Sequence, residues 1–298
     1  MSEIQPTQER SIPARIFLSP DEPRLRAGWR LLIHTILLSV FGAIIAIVAS
    51  FLGGQDGSIS SIWGQILSFI VITGSVYVAR TWLDKRSFES LGLKLDKRTL
   101  LDILAGIGIT FAQMGFIYVL MLGLGWLTFE GFAWEFDPLN VVITNVLTFF
   151  IVFIFVGWNE ELLSRGYHLQ TIASGINLFW GVIISSAVFG LLHLGNPNAT
   201  WVSAAGIFFA GVYLAYGYIR TKQLWLSIGL HIGWNFFEGV VFGFPVSGLG
   251  TYALTRINIH GPELWTGGAF GPEAGLIVLP SLILGGLLIY LYTGRRTS

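Results

Sequence analysis

Residues 139–165 read LNVVITNVLTFFIVFIFVGWNEELLSR. Positions 139–159 carry no charged side chain, and a helix needs roughly 20 mostly apolar residues to span a bilayer. Three charged residues, Glu160, Glu161 and Arg165, then follow directly. Ionisable side chains within a membrane helix are costly, so such groups are functional candidates by default. The stretch therefore predicts a transmembrane helix that carries part of a functional site.

The composition of the whole chain is that of a membrane protein. Of the 298 residues, 53% are hydrophobic and 11% are charged, whereas soluble domains average about 25% charged residues. The mean hydropathy of +0.70 indicates the same. The formal net charge is zero, so nothing suggests binding to nucleic acid. The chain has no cysteine, which excludes a thiol nucleophile, thiolate metal ligands and disulfide bonds.

Eight apolar segments divide the chain. Only helices or closed barrels satisfy the backbone hydrogen bonds in lipid, and no strand pattern competes. We therefore predict an all-α fold, a polytopic membrane bundle of about eight transmembrane helices over residues 28–298, after a cytosolic tail over residues 1–27. The motif-bearing core covers about 84–243. Asp137 and Pro138 predict the start of the fourth helix, as its cap and its first-turn proline. The predicted spans are roughly 30–52, 61–83, 101–126, 139–172, 178–194, 200–219, 224–243 and 274–293.

The basic residues predict the orientation of the bundle. Cytosolic connections of membrane proteins are enriched in Lys and Arg. With eight spans, one face of the membrane carries the basic residues of both termini and of the connection around 80–98, together with Arg220 and Lys222. The other face carries Arg256 alone. We therefore expect an integral, multi-pass membrane protein with both termini in the cytosol, in the plasma membrane if the source is bacterial.

The two adjacent glutamates are predicted to face different neighbours. Successive residues on a helix point about 100° apart. Glu161 and Arg165 have the i,i+4 spacing of a helical ion pair. Glu160 is then the carboxylate without a local partner, and it is the candidate general base. The alternative is a helix end at the cytosolic interface, where all three side chains are solvated.

Two later segments carry further polar residues. The fifth contains FGLLH at 189–193, and the seventh contains HIGWNFFE at 231–238. His231, Asn235 and Glu238 share one helix face because they are spaced i, i+4 and i+7. Glu238 either extends this polar face or closes a cavity. The alternatives are a core histidine bonded to the backbone and polar bonds that hold helices together.

Helix geometry brings these groups to similar depths. Glu160 and His193 lie at similar separations from the predicted turn near 173–177, so a rise of about 1.5 Å per residue places them within about 5 Å in height. His231 lies closer to its own cytosolic turn, by roughly 10 Å. A bundle core that collects such groups must be hydrated or catalytic, and we expect it in the cytosolic half.

Three other ionisable residues carry no motif around them. Asp102 is expected at the membrane interface. His34 is expected to make an interhelical bond, and His168 to lie in a solvated turn.

The motifs resemble those of the CPBP family, which comprises CAAX prenyl endopeptidases and bacteriocin-processing proteins and is also called type II CAAX protease or Abi. The resemblance covers roughly residues 84–243, and residues 265–273 resemble, more weakly, a tail found in some bacterial members. The family resemblance implies an eight-helix bundle with a cytosol-facing cavity. The motifs, in order on successive helices, are Glu-Glu-x-x-x-Arg at 160–165, Phe-x-x-x-His at 189–193 and His-x-x-x-Asn at 231–235.

The resemblance also implies catalytic roles. Glu160 and His193 would activate water against the scissile carbonyl. His231 and Asn235 would stabilise the tetrahedral oxyanion, a contribution that is often the largest in acyl hydrolysis.

The remaining motif residues, Glu161 and Arg165, would hold the constellation in place. The family has been described as metalloproteases, and Glu160, His193 and His231 could ligate Zn²⁺ with one open position. The sequence lacks the His-Glu-x-x-His pair of zinc membrane proteases. We favour a mechanism without a catalytic metal, with a Zn²⁺ site as the alternative.

The favoured function is an intramembrane endopeptidase that cuts membrane-associated or lipidated, CAAX-type peptides near their C-termini. Its partners are a peptide or protein substrate, prenylated in some cases, and the lipid bilayer. One alternative is a non-catalytic membrane scaffold or immunity protein. Another is a small-solute transporter, although the paired broken helices of an inverted repeat are not apparent. A Gly-x-Ser-x-Gly elbow is absent. Asp102 is the only aspartate within a predicted apolar span, which excludes a two-aspartate protease unless a loop supplies the second aspartate.

Overall fold

A computed structural model of the chain describes residues 11–51 and 62–294, and it is an all-α bundle. Three of the helices continue without a break into π-helical turns, at Ala79–Leu83 after α3, at Leu162–His168 after α5 and at Phe236–Val241 after α9. The helices are α1 (Ile12–Phe17), α2 (Ala27–Phe51), α3 (Ile62–Val78), α4 (Thr99–Gly123), α5 (Leu139–Glu161), α6 (Leu169–Gly175), α7 (Leu178–Leu192), α8 (Trp201–Thr221), α9 (Trp225–Asn235), α10 (Glu263–Thr266) and α11 (Val278–Gly294).

The predicted polytopic bundle is confirmed, with differences in helix length. The seventh and eighth predicted spans, α9 with its π-helical turn and α11, are shorter than the others. The predicted ends at residues 52 and 61 lie outside the described residues. Within the described part of the chain, six helical stretches are long and apolar enough to cross a membrane: Ala27–Val48, Ile62–Leu83, Thr99–Gly123, Leu139–Gly175, Leu178–Gly195 and Trp201–Thr221.

Helix α9 lies at the centre of the bundle, with α4, α5 and α8 packed around it. Every residue from Leu226 to Asn235 is buried. Gly229 allows the backbones of α9 and α4 to contact each other, because a Cβ atom at this position would overlap the backbone of Ile103 on α4. Small residues allow membrane helices to pack backbone to backbone in this way. The central position of α9 places its polar residues in the interior of the protein.

The connections between helices form two opposite faces. The basic face consists of the connections α3–α4 (84–98), α6–α7 (176–177) and α8–α9 (222–224). The opposite face consists of the described connections α4–α5, α7–α8 and α9–α11.

A small antiparallel sheet lies on the opposite face. Strand β1 (Leu127–Phe132) pairs with β2 (Thr255–Ile259), with Leu127 opposite Ile259. The expectation that no strand would occur is therefore wrong. Each strand is short, and its partner lies in a distant connection, so local patterning carries little signal.

The predicted helix cap at Asp137 is also wrong. Helix α5 begins at Leu139, as expected, but no side-chain cap is formed there. The Asp137 carboxylate instead accepts hydrogen bonds from Tyr252, at 2.9 Å, and from Arg256, at 2.8 Å. These two partners come from the α9–α11 connection and bind the carboxylate away from the helix end.

The N-terminal region joins the basic face. Of the predicted tail, the described residues from position 11 onward lie against the bundle. Arg24 is 5% exposed and lies 3.7 Å from Asp84. Arg30 and Arg80 also pair with Asp84, the latter at 2.8 Å. Three arginines around one buried carboxylate therefore attach the region before α2 to the end of α3.

The three residues outside the motifs behave differently from one another. His34 faces the hydroxyl of Ser75 on α3 at 3.4 Å, which confirms the interhelical bond. Asp102 lies in the first turn of α4, where it is buried within the protein and accepts a hydrogen bond from Tyr292 at 2.6 Å, and its expected place at the membrane interface stays a prediction. His168 is half-buried, with its ring centroid 5.7 Å from that of His34, so the expectation of a solvated turn is wrong.

Candidate active site

Three helix segments bring the acidic and histidine side chains of the motifs together. Glu160 lies near the end of α5, His193 directly after α7, and His231 on α9. The Oε2 atom of Glu160 is 3.6 Å from Nε2 of His231 and 3.9 Å from Nε2 of His193. The similar depths that helix geometry predicts for Glu160 and His193 agree with this contact.

The backbone sets the orientation of the His193 ring. Its Nδ1 atom lies 2.8 Å from the carbonyl oxygen of Phe189, one turn earlier. A carbonyl oxygen can only accept a hydrogen bond, so Nδ1 carries the proton. In the neutral ring, Nε2 is then an acceptor, and this is the atom that faces Glu160.

A buried ion pair orients the His231 ring. Glu161 is fully buried, and its Oε1 atom lies 2.8 Å from both Nη1 of Arg165 and Nδ1 of His231. Arg165 also donates to the carbonyl of Gly211 at 3.1 Å and stacks on the ring of Phe189 at 4.3 Å. The structure thus contains the Glu161–Arg165 ion pair that the i,i+4 spacing predicts, and the carboxylate directs Nε2 of His231 toward Glu160.

Glu160 is the less buried of the two glutamates. Its side chain is 33% exposed, against 0% for Glu161. Its Oε2 atom, however, is buried and has no hydrogen-bond partner among the residues that the structure describes. Buried polar atoms are nearly always bonded, so an unpaired one calls for an explanation. Two imidazole nitrogens lie just beyond direct bonding distance, a separation at which a bridging water fits.

Glu160, His193, His231 and Asn235 line one cavity of about 530 Å³. Asn235 is 6% exposed and lines this cavity one turn beyond His231, on the same helix face. Most of the remaining wall is apolar. Its apolar side chains on α5 and α8 are Phe149, Val152, Phe153, Val156, Ile207, Ala210 and Leu214.

Residues 142–237 match the family model described as Rce1-like, type II CAAX prenyl endopeptidase. The matched range contains all three motifs. The chain is also similar to the protein named "Putative membrane peptidase YdiL" of Bacillus subtilis (strain 168), with 25% identity over 238 residues, 74% of this chain and 92% of that protein. Both matches support the resemblance to the CPBP (Abi) family, and both support membrane protease activity in general terms.

A further acidic residue, Glu273, lines the same cavity. Its carboxylate accepts hydrogen bonds from Nε1 of Trp234 at 3.0 Å and from the hydroxyl of Ser247 at 2.5 Å. Gly206 on α8 leaves room for this segment, because a Cβ atom there would overlap the Glu273 carbonyl. The one sequence signal for Glu273 is the weak resemblance of residues 265–273 to a bacterial tail.

Glu238 does not join the cluster of Glu160, His193 and His231. It is fully buried in the π-helical turn after α9 and does not line the cavity. Neither of its carboxylate oxygens has a hydrogen-bond partner in the described part of the protein. A Cβ atom on Gly271 would lie 3.5 Å from its Oε1 atom, so the carboxylate faces the segment that carries Glu273.

The candidate donor set does not form a metal-binding group. Among the described residues, no three or more His, Asp or Glu side chains are arranged to hold a metal ion, and this includes Glu160, His193 and His231. The metal-free mechanism stays a prediction.

The cavity does not face the basic side. Its lining includes residues 195–197 after α7 and 246–251 after α9, both on the opposite face, and no residue of 84–98 or 222–224. The family resemblance implies a cytosol-facing cavity. The lining departs from this expectation if the basic face is cytosolic, because the long connections of the opposite face fold inward and form part of the wall.

Proposed function

We propose that this protein is an intramembrane endopeptidase that hydrolyses peptide bonds of membrane-associated or lipidated, CAAX-type substrates. The observation that carries this proposal is the unpaired Oε2 atom of Glu160, which faces the Nε2 atoms of His193 and His231 inside a largely apolar cavity.

Glu160 acts as the general base. A water bonded between Glu160 and Nε2 of His193 gives its proton to the carboxylate, and its oxygen attacks the carbonyl carbon of the scissile bond. One C–O bond forms, and the carbonyl π pair moves to the oxygen. When the tetrahedral intermediate collapses, the C–N bond breaks and Glu160 returns the proton to the leaving amine.

His231 and Asn235 stabilise the oxyanion. Both line the cavity from the same face of α9, and each can present an N–H group to one oxygen. Protonated His231 donates from Nε2 while Nδ1 remains bonded to Glu161. The buried Glu161 carboxylate thus stabilises the imidazolium, and Arg165 holds that carboxylate in place.

The cavity walls favour an apolar substrate. Aromatic and aliphatic side chains of α5 and α8 form most of the lining. Burying apolar surface contributes about 25 cal/mol per Å², so a lipid chain or an apolar peptide segment gains affinity there. Glu160, His193 and His231 lie together in this wall, and the scissile bond would lie beside them.

Two other functions use the same residues without hydrolysis. A scaffold or immunity protein would need no unpaired base, and a transporter would bind cargo through Glu160 and the histidines. The Glu161–Arg165–His231 arrangement favours the protease, because it orients one ring nitrogen toward the cavity as acid–base chemistry requires.

The test is cleavage of a fluorogenic prenylated CAAX peptide by the purified protein in detergent, with the products identified by mass spectrometry. We expect cleavage that persists with a chelator and is lost in Glu160→Gln. Loss of cleavage with the chelator would show that a metal is required. Failure to cleave this peptide and a panel of unlipidated apolar peptides would favour the scaffold, whereas uptake of a solute into proteoliposomes would favour the transporter.

A further inference from the structure

The two faces of the bundle differ in charge. The opposite face has Arg256 as its single Lys or Arg among the described residues, and this residue pairs with Asp137 at 2.8 Å. Membrane proteins place basic connections in the cytosol. The described basic residues on or beside the basic face are Arg24, Arg26, Arg80, Lys85, Arg86, Lys94, Lys97, Arg98, Arg220 and Lys222.

The active-site cavity lies between Glu160 and the opposite face. Its walls follow α5 from Glu160 back to Phe149, in the direction of the β1–β2 sheet. Gln65, near the start of α3, also lines it, and α3 runs from there to the basic face. The cavity therefore extends away from the basic connections.

The mouth of the cavity is formed by loops of the opposite face. Leu249 is 38% exposed, and Pro197 and Gly250 are also exposed. The side chain of Asn196 donates to the carbonyl of Ser247 at 3.0 Å, which joins the two loops. The exposed lining residues thus form one continuous rim on this side.

The protein is closed between Glu160 and the basic face. The π-helical turn after α5 fills this region with fully buried side chains of Leu162 and Tyr167, together with Arg165, which is 1% exposed. Leu224, in the α8–α9 connection, is also fully buried. A smaller cavity of about 210 Å³ on the basic face shares no lining residue with the active-site cavity.

We propose that the active-site cavity is entered from the extracytoplasmic side, so that its substrates are peptides whose apolar or lipidated segment lies in the outer half of the membrane. The substrate class rests on the proposed protease function. The route of entry rests on the charge of the two faces, the position of the rim and the closed region between Glu160 and the basic face.

The chain itself suits a direct test of this route, because it contains no cysteine. Single cysteines are introduced at four positions: Leu249→Cys at the rim, Val156→Cys inside the cavity, Glu130→Cys on β1 of the opposite face, and Lys97→Cys on the basic face. Glu130 and Lys97 are exposed and serve as matched controls for the opposite face and the basic face. Spheroplasts of the expression host are treated with a membrane-impermeant maleimide before and after permeabilisation.

We expect positions 249, 156 and 130 to be labelled equally before and after permeabilisation, and position 97 only afterwards. Labelling of positions 249 and 156 only after permeabilisation, or together with position 97, would overturn the proposal. So would a cysteine at 156 that reacts with small, permeant N-ethylmaleimide but not with the impermeant reagent from outside.

The labelling does not depend on catalysis. The same cysteines in a Glu160→Gln background should give the same pattern, since that substitution leaves the cavity open. Expected labelling without any peptide cleavage would retain the entry route and contradict the protease function. Peptide cleavage together with labelling of positions 249 and 156 from the basic side would retain the protease function and overturn the entry route.

Discussion

The Nδ1 atom of His231 lies 2.8 Å from Oε1 of the buried Glu161. Through this contact, the other nitrogen of the ring faces Glu160 at 3.6 Å. Two adjacent glutamates therefore serve different purposes, because they point about 100° apart on one helix. Glu161 binds Nδ1 of His231 and so orients the ring, and Glu160 faces the cavity.

Replacing Glu161 with Gln should lower kcat while the protein remains folded. The amide carries no charge to stabilise the His231 imidazolium. We expect a loss of about 10²–10³-fold, the size seen when one oxyanion-stabilising group is removed. The measurement is kcat for peptide cleavage, with the exposed Glu130→Gln as the control that leaves it unchanged. A Glu161→Gln enzyme with wild-type kcat would contradict the orienting role.

Replacing Arg165 with Met should destabilise the protein by leaving the Glu161 carboxylate buried and unpaired. The expected cost is about 3–5 kcal/mol, as for other broken buried pairs. Adding Glu161→Gln to Arg165→Met should recover part of the lost Tm but none of the lost cleavage. Thermal unfolding in detergent measures the cycle, and strictly additive Tm changes would show that the two residues do not interact.

Gly229→Ala should weaken the contact between α4 and α9. The new Cβ atom would overlap the backbone of Ile103, and such overpacking costs about 1–3 kcal/mol. Because His231 lies two residues further along α9, kcat should fall as well. Gly108→Ala on α4 is the matched control, since nothing lies within 4 Å of its Cβ position. It should keep or raise Tm, given the helix propensity of Ala.

Glu273→Gln should lower both Tm and kcat, with a smaller effect on kcat than Glu161→Gln. The change weakens bonds to Trp234 and Ser247, and hydrogen bonds to a charged group contribute about 1.5–3 kcal/mol. Trp234 directly precedes Asn235, so its displacement disturbs the proposed oxyanion site. The exposed Glu263→Gln, in the same connection, should change neither quantity. Equal behaviour of the two variants would remove Glu273 from the site.

Local helix geometry predicts a large part of the candidate site. The i,i+4 spacing predicts the pair between Glu161 and Arg165, and the order of the motifs predicts three polar helix segments. Depth along the helices predicts that Glu160 and His193 meet. These predictions succeed because each depends on helix periodicity and a bilayer of known thickness.

The remaining features depend on contacts between distant segments. Glu273 reaches the cavity only because the α9–α11 connection folds back between helices. The same connection supplies β2, and it binds Asp137 through Tyr252 and Arg256 instead of leaving it to cap α5. Neither spacing nor hydropathy reports such contacts, and the direction of the cavity follows from them.

The carboxylate of Glu160 is the proposed base that activates water. Single-turnover cleavage of the prenylated peptide by Glu160→Gln measures its contribution, with thermal unfolding to show that the variant is folded. We expect a rate about 10²–10⁴-fold below that of the wild type, the usual contribution of a general base. A folded Glu160→Gln enzyme that cleaves within about threefold of the wild-type rate would contradict it.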